Sequence, residues 1–500
     1  TVAQTFWDAV ALHRSYVIGG HSDHEHFFST NDFAKHLSPD TAETCNTYNM
    51  LKLTRELFAL EPSAAKMDFY ERGLYNHILA SQDPETGMFV YLMSLKPGHF
   101  KTYSTPEDSF WCCVGTGMEN HSKYGDTIYF HDANSLYVNL FIASELSWAG
   151  KNLTVRQETR FPESDSTILK IKADKPTTFA LKIRYPAWAT DGVTVSINGK
   201  KQSVSSTPVS YFTLQREWRE GDKVEIQFPM KLHTEPLPGV SNMVAVLYGP
   251  IVLAGEMGTN AMPNPITRSQ TDYSRLPAPD APLFVCDAGE LLNQIKPVAG
   301  KPLTFRTQGI GQPRDVTLIP FYRLHRERYS VYWRVLSAPE WSVQAAELTA
   351  AEAQRMAIEE RTLDAVHPGE QQSEIDHKFQ GEKSAPVEAL GRKLRHAFDG
   401  GWFAYELKSD AVGTNNLVCT WWGDESGERN FDILVDGTKI ASQKLLHNRP
   451  GEFWDAAYVI PADLTRGKEK ITVKFQAQPG NYAGGLFELR LLRSQSAPRQ

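Results

Sequence analysis

Apolar residues follow a helical period in the first quarter of the chain and then switch to alternation. Between Thr44 and Leu60, Met50, Leu51, Leu53, Leu57 and Phe58 recur every three or four positions, which predicts an amphipathic helix. A second helix is expected from Ser63, as its N-cap, to Ser81, burying Met67, Tyr70, Leu74, Ile78 and Leu79. It stops before Asp83-Pro84, because the residue ahead of a proline is pushed out of the helical region. Pro84 to Gly87 reads as a turn. Phe6, Val10 and Leu12 give a further helical pattern at the start, and residues 114–124 have room for one more short helix.

From Thr127 the period becomes two. Leu136–Ile142, Leu153–Gln157, Thr167–Ile171, Ala180–Arg184, Val193–Ile197 and Lys223–Phe228 alternate apolar and polar residues, and Asn198-Gly199 is a strong hairpin signal. More strands are expected at Met243–Leu247, Ile251–Leu253 and Val316–Pro320, in a stretch rich in proline. Ala345–Ala365 reads as helix. Residues 366–386 are polar and contain His367-Pro368-Gly369-Glu370, which predicts a linker or long loop. Asn416–Thr420, Phe431–Val435, Ile471–Phe475 and Leu486–Leu492 suggest a last sandwich. The expected organisation is therefore a helical portion (1–126), an antiparallel β-sandwich (127–235), a β-rich module or a return to the main body (236–340), a helix and linker (341–386) and a C-terminal β-sandwich (387–500).

Composition narrows the function classes. At 500 residues, with 41% hydrophobic and 22% charged, the chain reads as globular and multidomain. A net charge of −7 argues against nucleic acid or an anionic membrane as partner. No apolar run approaches the roughly 20 residues that span a bilayer. Thr1-Val2-Ala3-Gln4 carries no targeting signal and leads straight into a helical pattern, so the chain reads as the middle of a longer protein. Eleven tryptophans suit carbohydrate handling, with Trp402, Trp421 and Trp422 as candidate sugar platforms; burial in sandwich cores is the favoured reading for them.

The cysteines are Cys45, Cys112, Cys113, Cys286 and Cys419, an odd and sparse set that is no disulfide framework. Three lie in the first quarter. Glu43 and Cys45 fall at the start of the first strong helix, and Cys112-Cys113 just ahead of a glycine-rich helix entry, where thiolates are favoured. Three thiolates and a carboxylate can hold zinc tetrahedrally. Buried core cysteines, a vicinal Cys112–Cys113 disulfide and a purely structural zinc are the competing readings. A third segment, Gly19-Gly20-His21-Ser22-Asp23-His24-Glu25-His26-Phe27, has no apolar face and reads as a loop able to carry a general acid/base, with Glu25 the proton donor if the chemistry is that of a sugar. A solvated loop, or metal binding by His21, His24 and His26, are its alternatives.

Glu-x-Cys followed by Cys-Cys, with the upstream glycine and His-Glu-His segment, resembles glycoside hydrolase families 127 and 146. Tyr75-Asn76-His77-Ile78-Leu79-Ala80-Ser81-Gln82 and Asn120-His121-Ser122-Lys123-Tyr124-Gly125-Asp126 add to the likeness, and Cys-Cys-x-Gly-x-Gly-x-Glu is closer to family 146. The resemblance implies the C-terminal part of an (α/α)6 barrel followed by β-sandwich domains. Only four or five of about twelve barrel helices can be placed, so the first half of the barrel is expected to be absent. It implies zinc held by Glu43, Cys45, Cys112 and Cys113, attack by Cys112 on the anomeric carbon, Glu25 as acid/base, and Tyr91 and His24 near the substrate. The implied function is release of β-linked L-arabinofuranose, with retention, from an arabinose-containing oligo- or polysaccharide. Hydrolysis of another rare pectin sugar, or carbohydrate binding without catalysis, are the alternatives.

Overall fold

The computed structural model describes residues 1–260, 262–264, 266–267, 279–390, 392–425 and 429–494. Two compact units divide the chain, Thr1–Trp341 and Ser342–Gln500. The first begins with four helices: α1 (Val2–Ala11), α2 (Thr44–Leu60), α3 (Ala64–Gly73) and α4 (Cys112–Asn120). Helix α2 has the expected bounds, and its apolar face buries Met50, Leu51, Leu57 and Phe58. Ser63 is the N-cap of α3, and the expected continuation to Ser81 exists, but as a π turn (Leu74–Ile78) and a 3-10 turn (Leu79–Ser81). Helix α4 starts two residues earlier than expected. Cys112 and Cys113 are therefore its first residues rather than lying ahead of it. Trp7, Val10, Tyr48, Phe58, Met67, Phe69 and Ile78 form the core that joins α1, α2 and α3.

Two sheets follow, of four and six strands, closed over one core that includes Leu136, Leu181, Trp218 and Ile226. The Asn198-Gly199 hairpin is present, with both residues left-handed at φ +50° and +76°, as a type I′ turn demands. One pairing departs from the antiparallel expectation: Ser135–Val138 runs parallel to Thr177–Tyr185. Ser144–Trp148 and Ser210–Trp218 are among the strands that the pattern did not predict, although Ser210–Trp218 alternates regularly in burial. A ten-stranded sheet occupies the following 100 residues. Leu237, Ala245, Leu247, Val252 and Tyr329 of this sheet share a core with Tyr16, Ile18, Ala42, Val90 and Met93.

Helix α5 (Ala338–Arg361) runs across the division between the units. The second unit is a nine-stranded β-sandwich around Tyr405, Leu417, Trp421, Phe431 and Phe475. The polar stretch read as linker is ordered secondary structure: strands Thr362–Val366 and Gln380–Ala389 flank a short helix, Gln371–Asp376. Gln380–Ala389 is largely exposed and pairs with a single neighbour, so no buried face imposed alternation on it. Trp421 is fully buried in that core, as the core reading expects, whereas Trp402 and Trp422 are half-buried and stand outside it. Among the described residues no helix is long and apolar enough to cross a membrane.

Candidate metal centre and active site

Four side chains from two chain segments meet at the start of α2 and α4. Glu43 is the N-cap of α2 and Cys45 its second residue. Beside them runs an extended segment. Thr44 N–H donates to the Tyr91 carbonyl (2.9 Å) and Met93 N–H to the Ala42 carbonyl (3.0 Å), with Glu43 bridged to Leu92. Helix α4 is drawn onto α2 by Tyr48, whose hydroxyl donates to Glu119 (2.8 Å), and by Thr116 beside the Cys45 sulfur (3.1 Å). Gly117 permits the approach, since a Cβ there would lie 2.6 Å from the Phe89 ring.

The donor atoms of Glu43, Cys45, Cys112 and Cys113 all lie within 4.8 Å of one another. Cys113 Sγ is 3.1 Å from Cys45 Sγ, and the Cys112 and Cys113 thiols reach Glu43 Oε1 at 3.4 and 3.7 Å. Sulfurs around a tetrahedral zinc, each at about 2.3 Å, would stand roughly 3.8 Å apart, so the quartet is close to the size of such a site. Among the described residues it is the one group of three or more His, Cys, Asp or Glu donors gathered tightly enough for an ion. His21, His24 and His26 form no such group, and all five cysteines are free, which removes the vicinal disulfide.

Without a cation the sulfurs cannot all ionise. The hydrogen bond from Cys113 draws the Cys45 thiol down to about 7. Burial pushes Cys112 up to about 11, and the bond to Cys45 holds Cys113 higher still. Burial also raises Glu43, and the nearby Glu25 charge adds to that. The thiolate is thus favoured at Cys45 and disfavoured at Cys112 and Cys113. A divalent ion is the group whose charge would let three thiolates and a carboxylate coexist there. Cys112 is exposed, whereas Cys45 and Cys113 are buried.

The Gly19–Phe27 loop delivers Glu25 to the same place. Gly19 (φ +85°) and Gly20 pack where a Cβ would strike Gly73 and His77 at 2.7 Å, which seats the loop against α3 and the π turn. His24 and Glu25 are both left-handed, at φ +49° and +67°, a conformation costing about 1–2 kcal/mol per non-glycine residue. Asp23 holds the turn. Its carboxylate accepts from Ser38 Oγ and pairs with His36 (2.7 Å) and His24 (3.0 Å), and its backbone pairs with His26. His24 also lies 3.4 Å from Asp40. The Tyr91 hydroxyl donates to Glu25, and the Tyr91 ring stacks on Trp111, the residue before Cys112 (5.4 Å).

Comparison with known proteins bears on this constellation directly. Residues 1–126, which hold every one of these side chains, match the model of the β-L-arabinofuranosidase GH127 catalytic domain, and residues 135–230 match the GH127 middle domain. The chain carries GH127 catalytic and middle domains. Residues 233–335 match a domain of unknown function, and 357–492 a family of unknown function, DUF6805. No curated protein matches the chain. Among solved structures, a GH127 β-L-arabinofuranosidase from Geobacillus stearothermophilus T6 is 22% identical with a TM-score of 0.50; the match covers 67% of this chain and 56% of that one. A second, a glycoside hydrolase, is 18% identical with a TM-score of 0.50, over 66% and 61%. The chain thus spans little more than half the length of these relatives, and the likeness shows the fold: a partial helical barrel followed by β-sheet domains. The Glu/Cys quartet in the GH127 catalytic domain could hold a metal ion.

Three residues that shape this GH127 site escaped sequence reasoning. Thr116 lies on the face of α4 that carries Cys113, three residues earlier, and that spacing was a readable signal. Asp23 was hidden among neighbouring histidines. Asn76, an amide within an apolar helix, bonds the Pro250 carbonyl (2.9 Å) and the Val252 N–H (2.8 Å), tying the π turn to the third sheet.

Proposed function

We propose that the chain acts as a retaining glycoside hydrolase that releases β-linked L-arabinofuranose from plant glycans. The observation that carries this is that Cys112, the one exposed sulfur of the quartet, stands with the buried Glu43, Cys45 and Cys113 and near an acid-bearing loop, at Glu25. Membership of GH127 domains supports it. Glu43, Cys45, Cys112 and Cys113 would hold zinc, which when bound keeps thiol ligands deprotonated.

The chain's own groups divide the work. Cys112 Sγ attacks the anomeric carbon as the glycosidic bond breaks, and Glu25 gives its proton to the departing oxygen. Glu25 then removes a proton from water, which displaces the sulfur and restores the thiolate. Two displacements at one carbon leave its configuration retained. Tyr91 holds Glu25 through its hydroxyl, and Trp111 backs the Tyr91 ring. His24 and Tyr91 would face the sugar. A bound arabinose-containing oligo- or polysaccharide is the expected partner.

The test is Cys112→Ser. It should abolish hydrolysis of an aryl β-L-arabinofuranoside while calorimetry still detects sugar binding. Undiminished turnover removes Cys112 as nucleophile, and protein purified without stoichiometric zinc removes the metal.

A further inference from the structure

Glu25 stands at the tip of a tight hairpin. Asp23 N–H donates to the His26 carbonyl (3.1 Å) and His26 N–H to the Asp23 carbonyl (3.0 Å). The chain reverses within His24 and Glu25, and both have positive φ, +49° and +67°, as the central residues of a type I′ turn do. Such turns favour Asn-Gly, because glycine takes the second place without a steric cost. Here the acid stands where glycine is favoured. A backbone conformation that its own residues disfavour persists only where the surrounding contacts enforce it.

Those contacts converge on one carboxylate. Asp23 Oδ1 accepts from Ser38 Oγ and faces His24 Nδ1 (3.0 Å), while Oδ2 faces His36 Nδ1 (2.7 Å). The partners are themselves fixed. The Ser38 hydroxyl accepts from the Asp40 N–H (3.0 Å), the Ser38 N–H donates to Thr41 Oγ1 (2.9 Å), and the His36 ring stacks on Phe28 (4.0 Å). The hairpin backbone lies along the same segment: His24 N–H donates to the Asp40 carbonyl (3.0 Å) and Ala42 N–H to the Ser22 carbonyl (3.1 Å). Residues 40–42 lead directly into Glu43, so one stretch of chain sets both the acid and the quartet. We propose that Asp23 is a positioning residue for the acid. Its carboxylate holds His24 and Glu25 in the left-handed turn and so keeps the Glu25 carboxyl on the Tyr91 hydroxyl. This rests on the glycosidase reading and adds to it the group that preorganises the proton donor. Alanine at position 23 would leave Ser38 and both histidines without this acceptor, and the turn free to relax.

The test compares Asp23→Ala with Asp23→Asn, whose amide oxygen keeps an acceptor for Ser38 and His24. Hydrogen exchange reads the turn without turnover. In Asp23→Ala the backbone amides of His24 and His26 should exchange at least about tenfold faster while those of Leu57 and Phe58 in α2 stay unchanged, and Asp23→Asn should recover part of the protection. Loop amides within twofold of wild type, equal acceleration in α2, or no recovery in Asp23→Asn overturns the proposal. The kinetic readout is the ratio of kcat for methyl β-L-arabinofuranoside over kcat for the nitrophenyl glycoside, since only the methyl glycoside needs a strong push from the acid. Asp23→Ala should lower that ratio at least about tenfold. Both substrates slowed alike would mark a merely structural role and overturn the proposal. If the wild type cleaves neither glycoside, the glycosidase reading fails, and exchange alone decides whether Asp23 holds the turn.

Discussion

Helix α4 offers a paired test of how packing sets the sulfur cluster. Gly115 and Gly117 lie two residues apart inside the same helix, and alanine improves a helix interior by about 1 kcal/mol over glycine. Around Gly115 nothing lies within 4 Å of an added Cβ, so Gly115→Ala should keep that gain. At Gly117 the new methyl would sit 2.6, 2.7 and 2.9 Å from three carbons of the Phe89 ring, far inside the optimum of about 3.5–4.0 Å. Phe89 has little room to withdraw. Its ring stacks on His121 at 5.6 Å, and its backbone is bonded at both N–H and C=O to Ser104 (3.0 and 2.8 Å). Overpacking of this kind costs about 1–3 kcal/mol. After the helix gain is credited, Gly117→Ala should be destabilised by up to about 2 kcal/mol, and the two variants should differ by about 1–3 kcal/mol. Since Cys112 and Cys113 open this helix, the displacement should also reach the Glu/Cys quartet proposed to hold zinc. Urea unfolding of both variants, with zinc content measured after dialysis against a chelator, reads both effects. If Gly117→Ala is as stable as Gly115→Ala and keeps as much zinc, the packing argument is wrong.

Other expectations follow from the same structure. Glu25→Gln should slow substrates with poor leaving groups most, and equal loss on an activated aryl glycoside would count against Glu25 as the acid. Arg184 is fully buried between Asp68 and Glu71, at 2.5 Å from each. Arg184→Met strands the buried Glu71 carboxylate and the half-buried Asp68 and should cost about 3–5 kcal/mol in chemical denaturation; a loss under 1 kcal/mol would show the carboxylates find other partners. His77 is fully buried, and burial draws it down to about 3, so the fold keeps it neutral while the unfolded chain protonates it below about 6.5. Between those values the unfolded state binds the extra proton, so stability should fall with falling pH by about 1.4 kcal/mol per unit. His77→Gln should flatten that slope, and an unchanged slope would assign it to other groups.

Much of the architecture was legible because periodicity reports burial on one face. The bounds of α2, the Ser63 start of α3 and the Asn198-Gly199 hairpin all follow from local pattern. Where one face is not buried the signal disappears, as at Gln380–Ala389, an exposed strand that read as linker. Ser144–Trp148, with one buried residue in five, was lost for the same reason.

The chemical inventory was equally readable. Glu43, Cys45, Cys112, Cys113 and Glu25 stand out by residue type and by their places at helix starts and in a glycine-led loop. What sequence could not decide is which of them touch. Cys113 and Cys45 are 68 positions apart and their sulfurs lie 3.1 Å apart, because the Ala42–Met93 backbone pairing and the Gly117–Phe89 contact bring α2 and α4 together. The left-handed turn at His24 and Glu25, held by Asp23 against Ser38 and His36, is likewise decided by contacts across the fold. A chain's local preferences fix which groups are available. Their convergence depends on the packing of distant segments, whose energy has no term in any single stretch of sequence.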